Sequence, residues 1–166
     1  MMKVSIIQPE LNIGNAYSFE FLSSVDALDV ASGQYSVDGP IEIKGTVVHT
    51  GKCYRVEGNI HFQKTFECDC CLETSHGEQL LSFAEEYKKD SDGNENGDMV
   101  SFSGDFIDIT ELIRETILLS EPLNHICSPD CRGLCIKCGA NLNKTECGCD
   151  RHVIDPRLAA LQKLLK

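Results

Sequence analysis

From Ile41 to Gly51 the chain reads IEIKGTVVHTG, alternating apolar and polar positions around Ile41, Ile43 and Val47. From Cys53 to Cys68 (CYRVEGNIHFQKTFEC) it alternates again through Tyr54, Val56, Ile60, Phe62 and Phe66. A period of two, carried by β-branched and aromatic residues, predicts two half-buried antiparallel strands joined by a turn at Gly51-Lys52. Gly45 and Gly58 inside these runs predict bulges or bends. EQLLSFAEEY, Glu78 to Tyr87, reads as a further strand, although a short helix fits almost as well. A weaker strand pattern covers Tyr17 to Leu22.

The period then changes. Asp108 is a good N-cap with Glu111 three residues on, a capping box with Asp in the Ser/Thr place. Ile109, Leu112, Ile113, Thr116 and Ile117 line one face, and Pro122 ends the run, so a helix is predicted over about 108–121. A last helix is predicted with Asp155 as N-cap, Pro156 at its first position and an apolar stripe of Leu158, Leu161 and Leu165. Strands followed by helices define an α+β class. The predicted architecture is an antiparallel β-sheet or partly open barrel in the N-terminal two-thirds. A helix, a cysteine-rich zinc loop and a short C-terminal helix follow. In domain terms, residues 1–126 form a β-rich body with one helix, and 127–166 a zinc-binding tail. Between strand and helix lies DSDGNENGD, Asp90 to Asp98. Its Asp92, Asn94, Asn96 and Gly97 match the opening of a calcium loop, but the twelfth position is Ser103 rather than the bidentate Glu. The segment therefore reads as a solvated hairpin tip.

Charge changes the picture along the chain rather than in total. The net charge is −11 over 166 residues. From Cys127 onward seven basic and four acidic residues give +3, and the remaining eight basic and 22 acidic residues give −14. Such an acidic body repels phosphate backbones, whereas the tail, near +1 with one Zn²⁺ on four thiolates, can approach them. No apolar run reaches the roughly 18 residues of a membrane helix. The N-terminus lacks the apolar stretch and cleavage site of a secretory signal. A cytoplasmic location is expected, where dense cysteines more often signify metal than disulfides.

The chemistry is concentrated in CSPDCRGLCIKCGANLNKTECGCD, Cys127 to Asp150, which holds six of the ten cysteines. Cys135-Ile-Lys-Cys138-Gly139 has the form of a zinc knuckle. Two intervening residues turn both sulfurs to one point, and the Gly permits the backbone turn that aims amides at them. Cys147 and Cys149 return to it after the short loop Gly139 to Glu146, so the first-choice ligands are Cys135, Cys138, Cys147 and Cys149. Cys127 and Cys131 are close enough to compete, and two of the six thiols exceed what one structural Zn²⁺ takes. Disulfides and an iron–sulfur cluster use the same sulfurs. Zinc is favoured by the knuckle and by core-poor surroundings in which the metal supplies the folding energy. Cys68-Asp-Cys70-Cys71 forms a second group. It either completes a site with the tail, forms a redox pair, or consists simply of buried packing residues, the plainest of the three. Cys53 reads as core. His49, His61 and His76 read as ordinary half-buried residues, and His152 as a surface one.

Neither G-x-S-x-G, a phosphate-cradling Gly-rich loop nor H-E-x-x-H occurs, and the carboxylates lie in solvated runs such as Glu85-Glu86. A zinc with four protein ligands has no open position. The sequence therefore points away from an enzyme.

The stretch Pro122 to Leu165 resembles the YceD-like large ribosomal RNA subunit accumulation family. The resemblance is carried by Cys127, Asp130-Cys131-Arg132-Gly133-Leu134-Cys135, Cys138-Gly139, Asn141-Leu142-Asn143, Cys147-Gly148-Cys149 and Asp155-Pro156-Arg157-Leu158. Upstream, Cys68-Asp69-Cys70-Cys71-Leu72 is similar to the family's Cys-x-Arg-Cys-Leu, with Cys70 in place of the Arg. The resemblance implies a bacterial or organellar, non-enzymatic factor supporting 23S rRNA accumulation and large ribosomal subunit assembly. The expected partner is a pre-ribosomal particle, through rRNA or, given the acidic body, a basic ribosomal protein, with no membrane and no small-molecule substrate. Arg132, Lys137, Lys144, Arg151 and Arg157 are the candidate RNA-facing cations, with the acidic body turned to a basic partner. A thiol-based redox or zinc-responsive regulator is the alternative that the surplus cysteines suggest.

Overall fold

The computed structural model describes residues 1–30, 35–90 and 99–150. The chain divides into two compact units. One comprises Met1–Phe66 and Ser75–Leu123, the other Glu67–Thr74 and Asn124–Lys166. The elements are β1 (Lys3–Ser5), α1 (Ile7–Leu11), β2 (Ala16–Ser23), α2 (Val25–Leu28), β3 (Tyr35–His49), β4 (Tyr54–Glu67), β5 (Thr74–Lys89), β6 (Val100–Phe102), β7 (Phe106–Asp108) and α3 (Thr110–Leu119). The predicted helix at the C-terminus and the acidic segment 91–98 lie outside the described residues.

In the first unit the alternating pattern becomes an open five-stranded sheet in the order β2-β3-β4-β5-β6. β2 runs antiparallel to β3, and β3 to β4. The sheet is mixed rather than wholly antiparallel, because β6 pairs with β5 in parallel. It is also not a barrel, since β2 and β6 stay at opposite edges. Glu78–Tyr87 lies within a long strand, and the weak pattern at Tyr17 to Leu22 is the edge strand β2. β1 and β7 form a separate two-stranded ribbon. One apolar core serves the unit. Ile41, Ile43, Val47, Val56 and Ile60 from the sheet join Val4, Ile6, Ile107, Ile109, Ile113 and Ile117, each buried to within a few percent of completely. Period two on the strands and the 113/117 spacing on α3 thus converge on the same interior.

Two local expectations are corrected. Gly45 and Gly58 mark no bulge, for they face each other in regular register, and the irregularity falls between Asp38 and Glu42. Their role is close approach. A Cβ on Gly45 would lie 2.6 Å from the Phe19 ring, and one on Gly58 would lie 2.8 Å from the Phe83 ring. The two aromatic rings occupy the space that side chains would otherwise take on the core side of β3 and β4. The helix start also differs. α3 begins at Thr110 with Ile109 at the N-cap and no side-chain cap there. Asp108 acts one residue earlier, its Oδ1 accepting from the Thr110 backbone N–H at 3.0 Å and from the Thr110 hydroxyl at 2.5 Å.

Candidate metal centres

The second unit has almost no apolar interior: among its described residues Cys68, Cys71, Cys135, His125 and Leu142 are among the few large side chains that are buried. What organises it is sulfur. Cys135, Cys138, Cys147 and Cys149 bring their Sγ atoms within 4.8 Å of one another, and Cys68, Cys71, Cys127 and Cys131 form a second such group. The six tail thiols therefore divide four and two, and the two are completed by the pair that sequence spacing left unassigned.

The sulfur separations carry the chemistry. Cys68 lies 3.9 Å from Cys131, and Cys71 lies 3.8 Å from Cys127. A tetrahedron with metal–sulfur bonds of about 2.3 Å has edges of about 3.8 Å. A disulfide needs about 2.05 Å, and all ten cysteines are free thiols. A cluster of several irons holds its cysteines farther apart than one ion does. The two measured edges of the Cys68 group match such a tetrahedron, the sulfurs of the Cys135 group lie within 4.8 Å of one another, and four thiolate donors would suit a thiophilic metal.

Both groups are nucleated by the same backbone device. In Cys135-Ile-Lys-Cys138-Gly139, the Gly139 N–H donates to the Cys135 carbonyl at 2.8 Å, with φ of +73° at Gly139. In Cys68-Asp-Cys-Cys71-Leu72, the Leu72 N–H donates to the Cys68 carbonyl at 2.8 Å, with φ of +57° at Leu72. The second knuckle hides in the sequence because a leucine occupies the left-handed position where glycine normally stands. Leu72 is 59% exposed, so little packing repays its backbone strain of about 1–2 kcal/mol. Leu72→Gly is therefore expected to tighten metal binding at the Cys68 group by about fivefold, read by competition with a chelator, corresponding to about 1 kcal/mol of relieved strain. Weaker binding would show instead that the leucine side chain supports the site.

Backbone amides prepare one thiolate in each group. The N–H groups of Cys138 and Lys137 bring the Cys135 thiol down to about 6. Burial pushes the Cys68 thiol up, but the N–H groups of Cys127, Cys71 and Cys70 outweigh it and hold the group at about 6. The Cys127 N–H reaches the Cys68 sulfur at 3.3 Å. Opposite partners respond in the other sense. Hydrogen bonding to the ionised Cys131 pushes Cys127 up to about 12, and Cys138 does the same to Cys149. Four crowded sulfurs resist carrying four negative charges alone, and a divalent cation removes that resistance.

Sequence reasoning missed several supporting residues. Asp69 and His125 exchange two bonds: the Asp69 N–H donates to the His125 carbonyl at 2.8 Å, and the His125 N–H to the Asp69 carboxylate at 2.7 Å. Glu73 accepts from Lys144 at 2.7 Å and from the Asn141 amide at 3.2 Å. Asn143 donates to the Cys131 sulfur at 3.3 Å, the first cause of that thiol's lowered pKa, and accepts from the Arg132 N–H at 2.8 Å. The Asn-Leu-Asn string was visible, but only the fold shows which sulfur it serves.

The remaining candidates stand apart from the metal groups. Cys53 is buried, its sulfur 3.1 Å from the Thr50 hydroxyl, while Cys70 is exposed. His49 stacks on Tyr54, His61 meets Glu78 at 2.6 Å, and His76 meets Thr65 at 2.6 Å. Of the five basic residues considered for RNA, Arg132 lies 3.8 Å from Glu146 and Lys144 is paired with Glu73. Lys137 projects from the knuckle into solvent. Arg151, Arg157 and His152 lie outside the described residues.

A mostly sheet protein with few helices, carrying a cysteine-rich unit whose two four-sulfur groups can each hold a metal ion, is the class that fold and site define. The chain belongs to the family described as large ribosomal RNA subunit accumulation protein YceD, which matches residues 56–165. It is 30% identical over 156 residues to "Large ribosomal RNA subunit accumulation protein YCED homolog 1, chloroplastic" of Arabidopsis thaliana, covering 75% of this chain and 48% of that protein. The Zea mays protein of the same name is 52% identical over 44 residues, covering 26% and 15%. An uncharacterized protein of Mycobacterium tuberculosis is 29% identical over 114 residues, covering 66% and 55%. The chain thus spans less than two-thirds of the length of each of these relatives. No solved structure matches it. Among the described residues, no helix is long and apolar enough to cross a membrane.

Proposed function

We propose that this chain is a non-enzymatic ribosome biogenesis factor that supports 23S rRNA accumulation and large-subunit assembly, with zinc as a structural metal. Membership of a family named for large-subunit rRNA accumulation carries the reading. The tail zinc is held by Cys135, Cys138, Cys147 and Cys149, and Cys127 and Cys131 hold a second ion with Cys68 and Cys71. Four thiolates leave an ion no open position for water or substrate, which supports a structural rather than a catalytic metal. The protein acts in the bacterial cytoplasm on a pre-ribosomal particle, through rRNA or a basic ribosomal protein. A net charge of −11 favours contact with a basic protein or an RNA–protein surface over naked RNA. The thiol-regulator alternative rested on surplus sulfurs. With eight of ten thiols gathered into two groups, that ground is largely removed.

Depletion of the protein tests the reading. Large-subunit rRNA should fall selectively while small-subunit rRNA persists, measured by total RNA analysis and sucrose-gradient profiles. Equal loss of both rRNAs would contradict it.

A further inference from the structure

We propose that the two four-cysteine groups bind metal cooperatively, coupled through the loop Gly139 to Glu146, with Asn143 as the coupling residue. This rests on the metal-binding reading above and extends it to how the two ions are taken up.

The two groups share a short stretch of chain. Cys131 belongs to one and Cys135 to the other, with Arg132, Gly133 and Leu134 between them. That stretch is pinned from both sides. The Leu134 N–H donates to the Cys70 carbonyl at 3.1 Å, inside the Cys68–Cys71 knuckle. The Leu142 N–H donates to the Gly133 carbonyl at 2.9 Å, and the Cys135 N–H to the Ala140 carbonyl at 2.8 Å, both from the loop that joins Cys138 to Cys147. Leu134 and Asn141 complete a small antiparallel bridge.

The loop then reaches across to the other group's sulfur. Asn143 sits between Cys138 and Cys147, yet its amide donates to Cys131 and its carbonyl oxygen holds the Arg132 N–H. The Asn141 side-chain oxygen accepts from the Asn143 N–H at 2.9 Å, and the Asn141 amide and Lys144 ammonium both grip Glu73, two residues beyond Cys71. A loop closed by metal on Cys135, Cys138, Cys147 and Cys149 therefore presents an oriented donor to Cys131. Without that metal, ordering eight loop residues costs conformational entropy that the Cys68 group must supply for itself. Loading either group pre-organises the other, and linkage requires the effect to be equal in both directions.

The test is Zn²⁺ affinity by chelator competition, with native mass spectrometry to count bound ions. Cys149→Ser, which breaks one four-thiolate set, should weaken the Cys68 group about tenfold, and Cys127→Ser should weaken the Cys135 group by the same factor. Asn143→Ala alone should weaken the Cys68 group about tenfold, and in the Cys149→Ser background it should add nothing. If Cys149→Ser unfolds the unit, the intact chain decides: at one equivalent of Zn²⁺, Asn143→Ala should raise the fraction of chains holding a single ion. Unchanged affinities across these variants, an equal Asn143→Ala loss in both backgrounds, or an unchanged single-ion fraction would overturn the coupling. A wild-type chain that takes up no ion would remove the metal reading itself, which is a distinct failure.

Discussion

Chelation of bound metal is expected to unfold the second unit while the β-sheet of the first persists. Every residue of the large apolar cluster belongs to the first unit, from Met2 to Ile117. Among its described residues the second unit has sulfur where a core would be, and a segment so poor in apolar burial cannot offset its own chain entropy. A structural zinc site in a small module supplies an apparent ~10–16 kcal/mol near neutral pH, far more than the few buried side chains offer. Amide NMR resolves the two behaviours. Gly133, Gly139 and Leu142 signals should collapse to unfolded positions on adding chelator, while those of Ile43, Val56 and Ile60 hold. Cys135→Ser should reproduce the loss at Gly139, within its own four-cysteine group, without chelator. Metal uptake should also weaken as pH falls and protons compete for the thiolates. Coincident loss of both sets of signals would mean that the sheet depends on the metal as well.

Gly58→Ala is the substitution expected to harm the first unit most. The added methyl meets the Lys44 carbonyl, lies 2.6 Å from the Gly45 Cα and 2.8 Å from the Phe83 ring. Two of these three are backbone in the middle of paired strands, so neither moves without opening β3 from β4. Overpacking of this kind costs about 1–3 kcal/mol and occasionally more. Backbone obstruction places this case at about 3 kcal/mol, a fall in Tm of roughly 6–12 °C for a chain of this size. Phe83→Leu in the Gly58→Ala background should recover part of the loss by shortening the ring. A Gly58→Ala protein as stable as the parent would show that the strands are not packed as described.

These two expectations also mark what the sequence made legible. The strands were readable because half-burial imposes a period of two, and Ile41, Ile43, Val56 and Ile60 keep that period on either side of Gly45 and Gly58. The Cys135 group was readable because its four cysteines lie within 15 positions, close enough for spacing to constrain geometry. What escaped was non-local or locally unconventional. Cys71 and Cys127 are 56 positions apart, and spacing at that distance says nothing about approach. Leu72 hides a left-handed turn because leucine rarely adopts one. Gly45 and Gly58 read as bulges or bends from sequence because a glycine in a strand has two meanings, and only Phe19 and Phe83 reveal which applies. The short elements α1, α2, β1, β6 and β7 span three to five residues each, too few for any period to show.

The most direct test of the central claim is metal stoichiometry on the protein purified without chelator, by native mass spectrometry alongside thiol counting in denaturant. The account predicts two zinc ions per chain, with all ten cysteines titrating as thiols once the metal is stripped. A single ion, no ion, or a mass lowered by about two daltons for each cysteine pair through disulfide formation would contradict it.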